Sequence, residues 1–136
     1  MVVFRELLKH GAKLESANND GWTPLNIAAQ NGHVDFVRDL LKHGAKLESA
    51  NKNGSTPLHI AAQYGHVEFV RDLQRHGAKL ESANNDGWIP LKIAAQNGHV
   101  EVVRELLKHS AKLEISNNNG WTPLNIAPQN GHVEVV

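Results

Sequence analysis

One stretch constrains this chain more than any other, because it returns. NNDGWTPLNIAAQNGHV starts at residue 18, NKNGSTPLHIAAQYGHV at 51, NNDGWIPLKIAAQNGHV at 84 and NNNGWTPLNIAPQNGHV at 117. Asp20, Asn53, Asp86 and Asn119 therefore recur at an interval of about 33 residues, a period that marks a stacked repeat architecture. A second block, such as VDFVRDLLKHGAKLESA from Val34, lies between the copies. The first 19 residues match the second block alone, and the last 18 match the first block plus a stub. The expected division is a partial repeat over 1–19, full repeats over 20–52, 53–85 and 86–118, and a partial repeat over 119–136.

The local chemistry of one copy predicts its shape. NDG or NNG forms a tight turn, because Asn, Asp and Gly tolerate positive φ. Thr23 is a natural N-cap, and Pro24 sits where a missing N–H costs nothing. Leu25, Ile27, Ala28 and Ala29 form a small apolar helix face, and Gly32 ends that helix in a left-handed conformation. A second helix is expected from about Val34, with Val37, Leu40 and Leu41 inward at helical spacing. Arg38, Asp39 and Lys42 are expected on its wet side, and Gly44 at its end. AKLES then leads out as an extended arm, with Leu47 inward and Lys46 and Glu48 outward. Such a unit cannot bury its apolar face alone but can do so by stacking on its neighbours.

Composition narrows the function. Of 136 residues, 40% are hydrophobic and 21% charged, which fits a soluble folded protein. Fourteen Lys and Arg balance fourteen Asp and Glu, so no electrostatic case exists for nucleic acid, an anionic membrane or an acidic substrate. The absence of cysteine removes disulfides, thiol nucleophiles and thiolate metal sites, and fits a reducing compartment. No apolar run reaches transmembrane length. MVVFRELLKHG breaks into charge too early for a signal peptide, so a cytoplasmic location is expected.

The stretch DGWTPLNIAAQNGHVDFVRDLLKHGA strongly resembles the ankyrin repeat, whose signature is T-P-L-H-x-A at this period. STPLHIAAQYGH over 55–66 carries that signature unchanged, and the resemblance spans the whole chain. It implies an all-α solenoid of stacked helix-turn-helix units with projecting hairpin-like turns. It also implies that protein partners bind the concave face, made of turn tips and first helices. The copies depart from the pattern in places. The signature histidine is kept only at His59 and is Asn26, Lys92 and Asn125 elsewhere, which puts its hydrogen bond in doubt there. Ile89 replaces the capping Thr, Gln74 an inward Leu, Ser110 a helix-ending Gly and Pro128 a mid-helix Ala. Each change is reachable by one base substitution, so the chain reads as a natural tandem array that has drifted.

Most polar features recur in every copy and so belong to the fold. Eight of the nine histidines form two ladders: His33, His66, His99 and His132, and His10, His43, His76 and His109. Packed helices stand about 8–10 Å apart while Zn–N bonds are about 2 Å, which argues against a shared metal. The first ladder is expected to serve the turn between helices, and the second to sit at helix C-termini, where a cation is favoured. Ser16, Ser49 and Ser82 beside Glu15, Glu48 and Glu81 could suggest a hydrolytic set. Their repetition, and the neighbouring Lys13, Lys46, Lys79 and Lys112, predict instead a solvated, self-neutralising stripe. No catalytic residue, cofactor or metal site is expected.

Recognition should lie where the copies differ. The residue after the turn Gly is Trp22, Ser55, Trp88 and Trp121. The copy with Ser55 carries Tyr64 where the others carry Asn31, Asn97 and Asn130. Gln30, Gln63 and Gln96 immediately precede these positions. Trp and Tyr are enriched in binding hot spots. The expected binding set is therefore Trp22, Gln30, Asn31, Ser55, Gln63, Tyr64, Trp88, Gln96, Asn97 and Trp121. Each Trp could equally pack on the next turn. The function expected is a non-enzymatic protein-interaction module. The alternatives are a repeat scaffold with no partner of its own and a slab occluding an enzyme's active site. Apolar edges are expected at both ends, as in a fragment of a longer array. A monomer is expected, with end-to-end self-association as the alternative.

Overall fold

The structure, a computed structural model, describes residues 14–109. Among these residues there are six helices and no strand: α1 (Pro24–Asn31), α2 (Val34–Lys42), α3 (Pro57–Tyr64), α4 (Val67–Arg75), α5 (Pro90–Gln96) and α6 (Val100–His109). None is long and apolar enough to cross a membrane. First helices stack on first helices, α1 on α3 on α5, and second helices on second, α2 on α4 on α6. Each first helix also packs on the second helix of its own copy. The fold is an all-α stack of helix-turn-helix units.

The residues that begin each helix explain the period. Thr23 is extended, and its Oγ1 accepts the Asn26 N–H at 3.2 Å while Asn26 Oδ1 accepts the Thr23 N–H at 3.0 Å. Thr56 and His59 close the same reciprocal box on α3. The doubt over the hydrogen bond at Asn26 is thus corrected: the amide closes the box and its Nδ2 reaches the Ser49 carbonyl at 2.9 Å. At α5 the box is absent. Ile89 has no hydroxyl and Lys92 offers no acceptor.

Ala28, Ala29, Ala61, Ala62, Ala94 and Ala95 are fully buried, and their small side chains let the first helices approach closely. The second helices add Val37 and Leu40, then Phe69, Val70 and Leu73, then Val102, Val103 and Leu106. These residues form one continuous core through all three copies. Each buried Leu contributes about 1.5–3 kcal/mol relative to exposure, a gain that exists only because a neighbouring copy covers it.

Polar bonds join the copies in register. His66 Nε2–H donates to the Gln30 carbonyl at 2.9 Å, and His99 Nε2–H to the Gln63 carbonyl at 2.7 Å. This first ladder therefore fastens neighbouring copies and not only the turn beside it, which corrects the sequence expectation. The second ladder does cap helix ends, with His43 and His76 Nδ1–H donating to the Asp39 and Asp72 carbonyls at 2.8 and 2.7 Å. At the turns, the Lys52 N–H donates to the Asp20 carbonyl at 3.1 Å and the Asn85 N–H to the Asn53 carbonyl at 2.9 Å.

Three further expectations are corrected. The AKLES arm is not extended; it turns at Leu47 and Glu48, with the Ser49 N–H on the Lys46 carbonyl at 3.3 Å. Glu15 and Glu48 are half-buried and not fully solvated. Glu15 Oε2 accepts the Lys46 N–H and Glu48 Oε2 the Lys79 N–H, each at 2.9 Å, so each carboxylate pins the next arm. The wet side of the second helices is also partly buried. Asp72 is 2% exposed and accepts from Arg38 Nε at 3.0 Å, while the buried Glu105 accepts from Arg71 Nε at 2.8 Å. Arg71 holds the Glu105 carboxyl below its ordinary range. Gln74, in place of the inward Leu, is half-buried and leaves its Oε1 without a partner. Ser110, Pro128, residues 1–13 of the first partial repeat and the whole of the last one lie outside the described residues.

Gly65 shows why one residue type is required at a joint. Its φ is +77°, and an added Cβ would stand 2.6 Å from His99 Nδ1. Gly65→Ala should destabilise the chain by about 1–2 kcal/mol from backbone strain alone, with the ring clash added. Denaturant titration should show a smaller loss when Gly65→Ala is made in a His99→Ala background. Equal losses in both backgrounds would mean that the ring does not crowd this glycine.

Candidate functional site

Each turn is built around one asparagine. Asn84 Oδ1 accepts the Asp86 and Trp88 N–H groups, both at 3.0 Å, and Asn18 and Asn51 do the same in their copies. These bonds fix the residue after the turn glycine, whether it is Trp22, Ser55 or Trp88. The side chains then take different surroundings. Trp22 is half-buried and packs against the hydrophobic core. Trp88 is half-buried with the Lys92 ammonium 3.7 Å from its ring centroid. Lys92 was not among the residues expected in a site. It is the one charged residue at the signature-histidine position, which is the signal that could have found it.

Five of the expected residues come together. Ser55, Gln63, Trp88, Gln96 and Asn97 line a cavity of about 370 Å³ between the second and third turns and the first helices. Asn53, Asn84, Asp86 and Ile93 complete its described walls. Trp22, Gln30 and Asn31 lie one copy earlier, and Tyr64 follows Gln63 at the end of α3. Gln30 is half-buried and donates from Nε2 to the Tyr64 hydroxyl at 3.3 Å, and Asn31 is exposed at the end of α1. Ile27 and Tyr64 are the large hydrophobics exposed among the described residues, at 39% and 43%, and both belong to first helices. Sequence reasoning placed Ile27 inward; its counterparts Ile60 and Ile93 are indeed buried. Trp121 lies outside the described residues.

A buried imidazole supports this wall. His59 Nδ1 accepts the Thr56 N–H at 3.1 Å, so the ring proton is on Nε2, which donates to the Trp88 carbonyl at 2.9 Å. Burial pushes the His59 pKa down, and the backbone carbonyls of Trp88 and Ser82 oppose that shift in part. Burial also lowers the Lys92 pKa. No group of three or more His, Asp or Glu side chains among the described residues could hold a metal ion. A larger cavity of about 460 Å³ follows the Lys79–Ser82 arm, away from the positions that differ between copies. The site's walls are five neutral amides, one hydroxyl, one carboxylate, one indole and one isoleucine, an arrangement suited to binding.

Because His59 is held neutral in the fold, the unfolded chain binds the extra proton first as pH falls. Stability should therefore decline as pH drops below about 6.5, and level off below the depressed folded value. His59→Asn, which copies the box at Asn26, should flatten this limb of a melting-temperature profile taken from pH 7.5 to 5. An unchanged slope would show that another group carries it.

A family model described as Ankyrin repeats (3 copies) matches residues 2–84 and 74–136. No curated protein matches the chain. The chain belongs to the ankyrin repeat family.

Proposed function

We propose, with that family membership as the premise, that the chain is a non-enzymatic module that binds a protein partner on its turn-tip and first-helix face. Ankyrin repeats are in general protein–protein interaction modules. The observation that carries the reading here is where apolar surface is left in water. Tyr64 is exposed on α3, next to Gln63 of the Trp88 cavity. Exposed apolar groups beside polar, hydrogen-bonding walls are the pattern of an interaction surface. The face presents Trp22, Gln30, Asn31 and Tyr64 from one joint and Ser55, Gln63, Trp88, Gln96 and Asn97 from the next. Trp121 would extend it. The cysteine-free composition supports a cytoplasmic setting.

A photo-cross-linking amino acid, p-benzoylphenylalanine, placed at Tyr64 should capture a protein partner, and the same group at the exposed Lys42 of α2 should not. Trp88→Ala should weaken that partner's binding by about thirtyfold, as at an aromatic hot spot. Capture at position 42 in preference to 64 would move the interface to the second helices and end this reading.

A further inference from the structure

We propose that the cavity beside Trp88 receives an indole side chain of the protein partner, in the place where the repeat's own tryptophan is missing. The inference rests on the partner docking on the turn-tip face. Trp22, Ser55 and Trp88 occupy one position in three successive copies. Their backbones are held alike, by Asn18, Asn51 and Asn84. Only the middle copy lacks a ring. The cavity of about 370 Å³ is bordered by Ser55 on one side and by the turn of Asp86 and Trp88 on the other. Ser55 is thus a small residue at the edge of this space, at the position where the copies on either side carry an indole. The space therefore lies open beside the one described copy that has no ring at this position.

The walls choose among flat side chains. Trp88 offers an aromatic surface, and aromatic rings meet favourably in offset or edge-on geometry. Asp86, Asn53 and Gln63 offer oxygen acceptors, and none of the described lining residues is basic. An indole N–H is a donor only, so it matches acceptors of this kind. A partner carboxylate would meet Asp86. A partner guanidinium would meet a ring already engaged by Lys92, whose ammonium lies 3.7 Å from the Trp88 centroid. That cation draws on the ring's quadrupole and repels a second one at short range. A neutral ring with one donor meets neither obstacle.

The probe is N-acetyl-5-fluorotryptophanamide, followed by fluorine NMR while the full chain is added. The wild-type chain should broaden and shift the signal. Ser55→Trp, and the smaller filler Ser55→Phe, should leave it narrow while melting no lower than wild type, because the built-in ring occupies the cavity. Trp88→Ala should weaken binding by about three- to tenfold. Equal amounts of N-acetylargininamide should not displace the probe. Undiminished broadening with both fillers, or displacement by the arginine amide, would overturn the inference. A silent probe alongside successful cross-linking at position 64 would mean that the partner docks on this face without an indole. Failure of both would remove the docking face as well.

Discussion

A hydrogen bond from one copy's histidine to the previous copy's glutamine carbonyl sets the terms for everything else in this stack. Helices of seven to ten residues are too short to be stable alone. Their apolar faces are covered only when the next copy sits in one rotation and at one height. The His66 and His99 rings impose that position, because each must reach over a glycine to a fixed carbonyl. The glycine serves twice, giving the left-handed turn and the room for the ring. Carboxylates on the arm N–H groups and arginines on the buried acids repeat the same alignment at other heights. Alanine faces then close at a spacing already set by polar contacts.

This division of labour leaves some positions free to change. Residues that fasten one copy to the next recur. Positions at the cavity edge or the exposed end of a first helix differ, as Ser55 and Tyr64 do. The third copy shows a looser case. Loss of the capping hydroxyl at Ile89 coincides with loss of the acceptor at Lys92, so the two halves of the box disappeared together. The lysine released from that role lies over Trp88 and changes the electrostatics of the neighbouring wall.

The helices, their caps and their inward faces were legible in the sequence because they depend on contacts within about four residues. TPL begins α1 and α3, Gly32 and Gly65 end them, and Val37 and Leu40 point inward, as the periodicity requires. The features that could not be read depend on contacts between copies. Glu48 looks like a surface charge until the Lys79 N–H is placed beside it. Asp72 and Glu105 look solvated until Arg38 and Arg71 arrive from the previous copy. The site was half legible. Non-repeating positions identified Ser55 and Trp88 and, beside Tyr64, the recurring Gln63. Lys92 had a signal in its charge at the signature-histidine position, whereas the exposure of Ile27 depends on cross-copy packing that a single window does not contain.

The cross-copy bonds also restrict how the chain can change in length. Partners are separated by 31, 34 or 36 residues, according to the ladder. Inserting or deleting a whole copy returns every donor to an equivalent acceptor. Adding one residue inside α3 rotates the downstream chain by about 100° on the helix and lifts it by about 1.5 Å, which takes its donors and acceptors away from their partners at once. Growth and shrinkage by whole repeats therefore keep the cross-copy bonds, including those at the turns. The same geometry that positions one side chain thus sets the unit in which the protein can be lengthened.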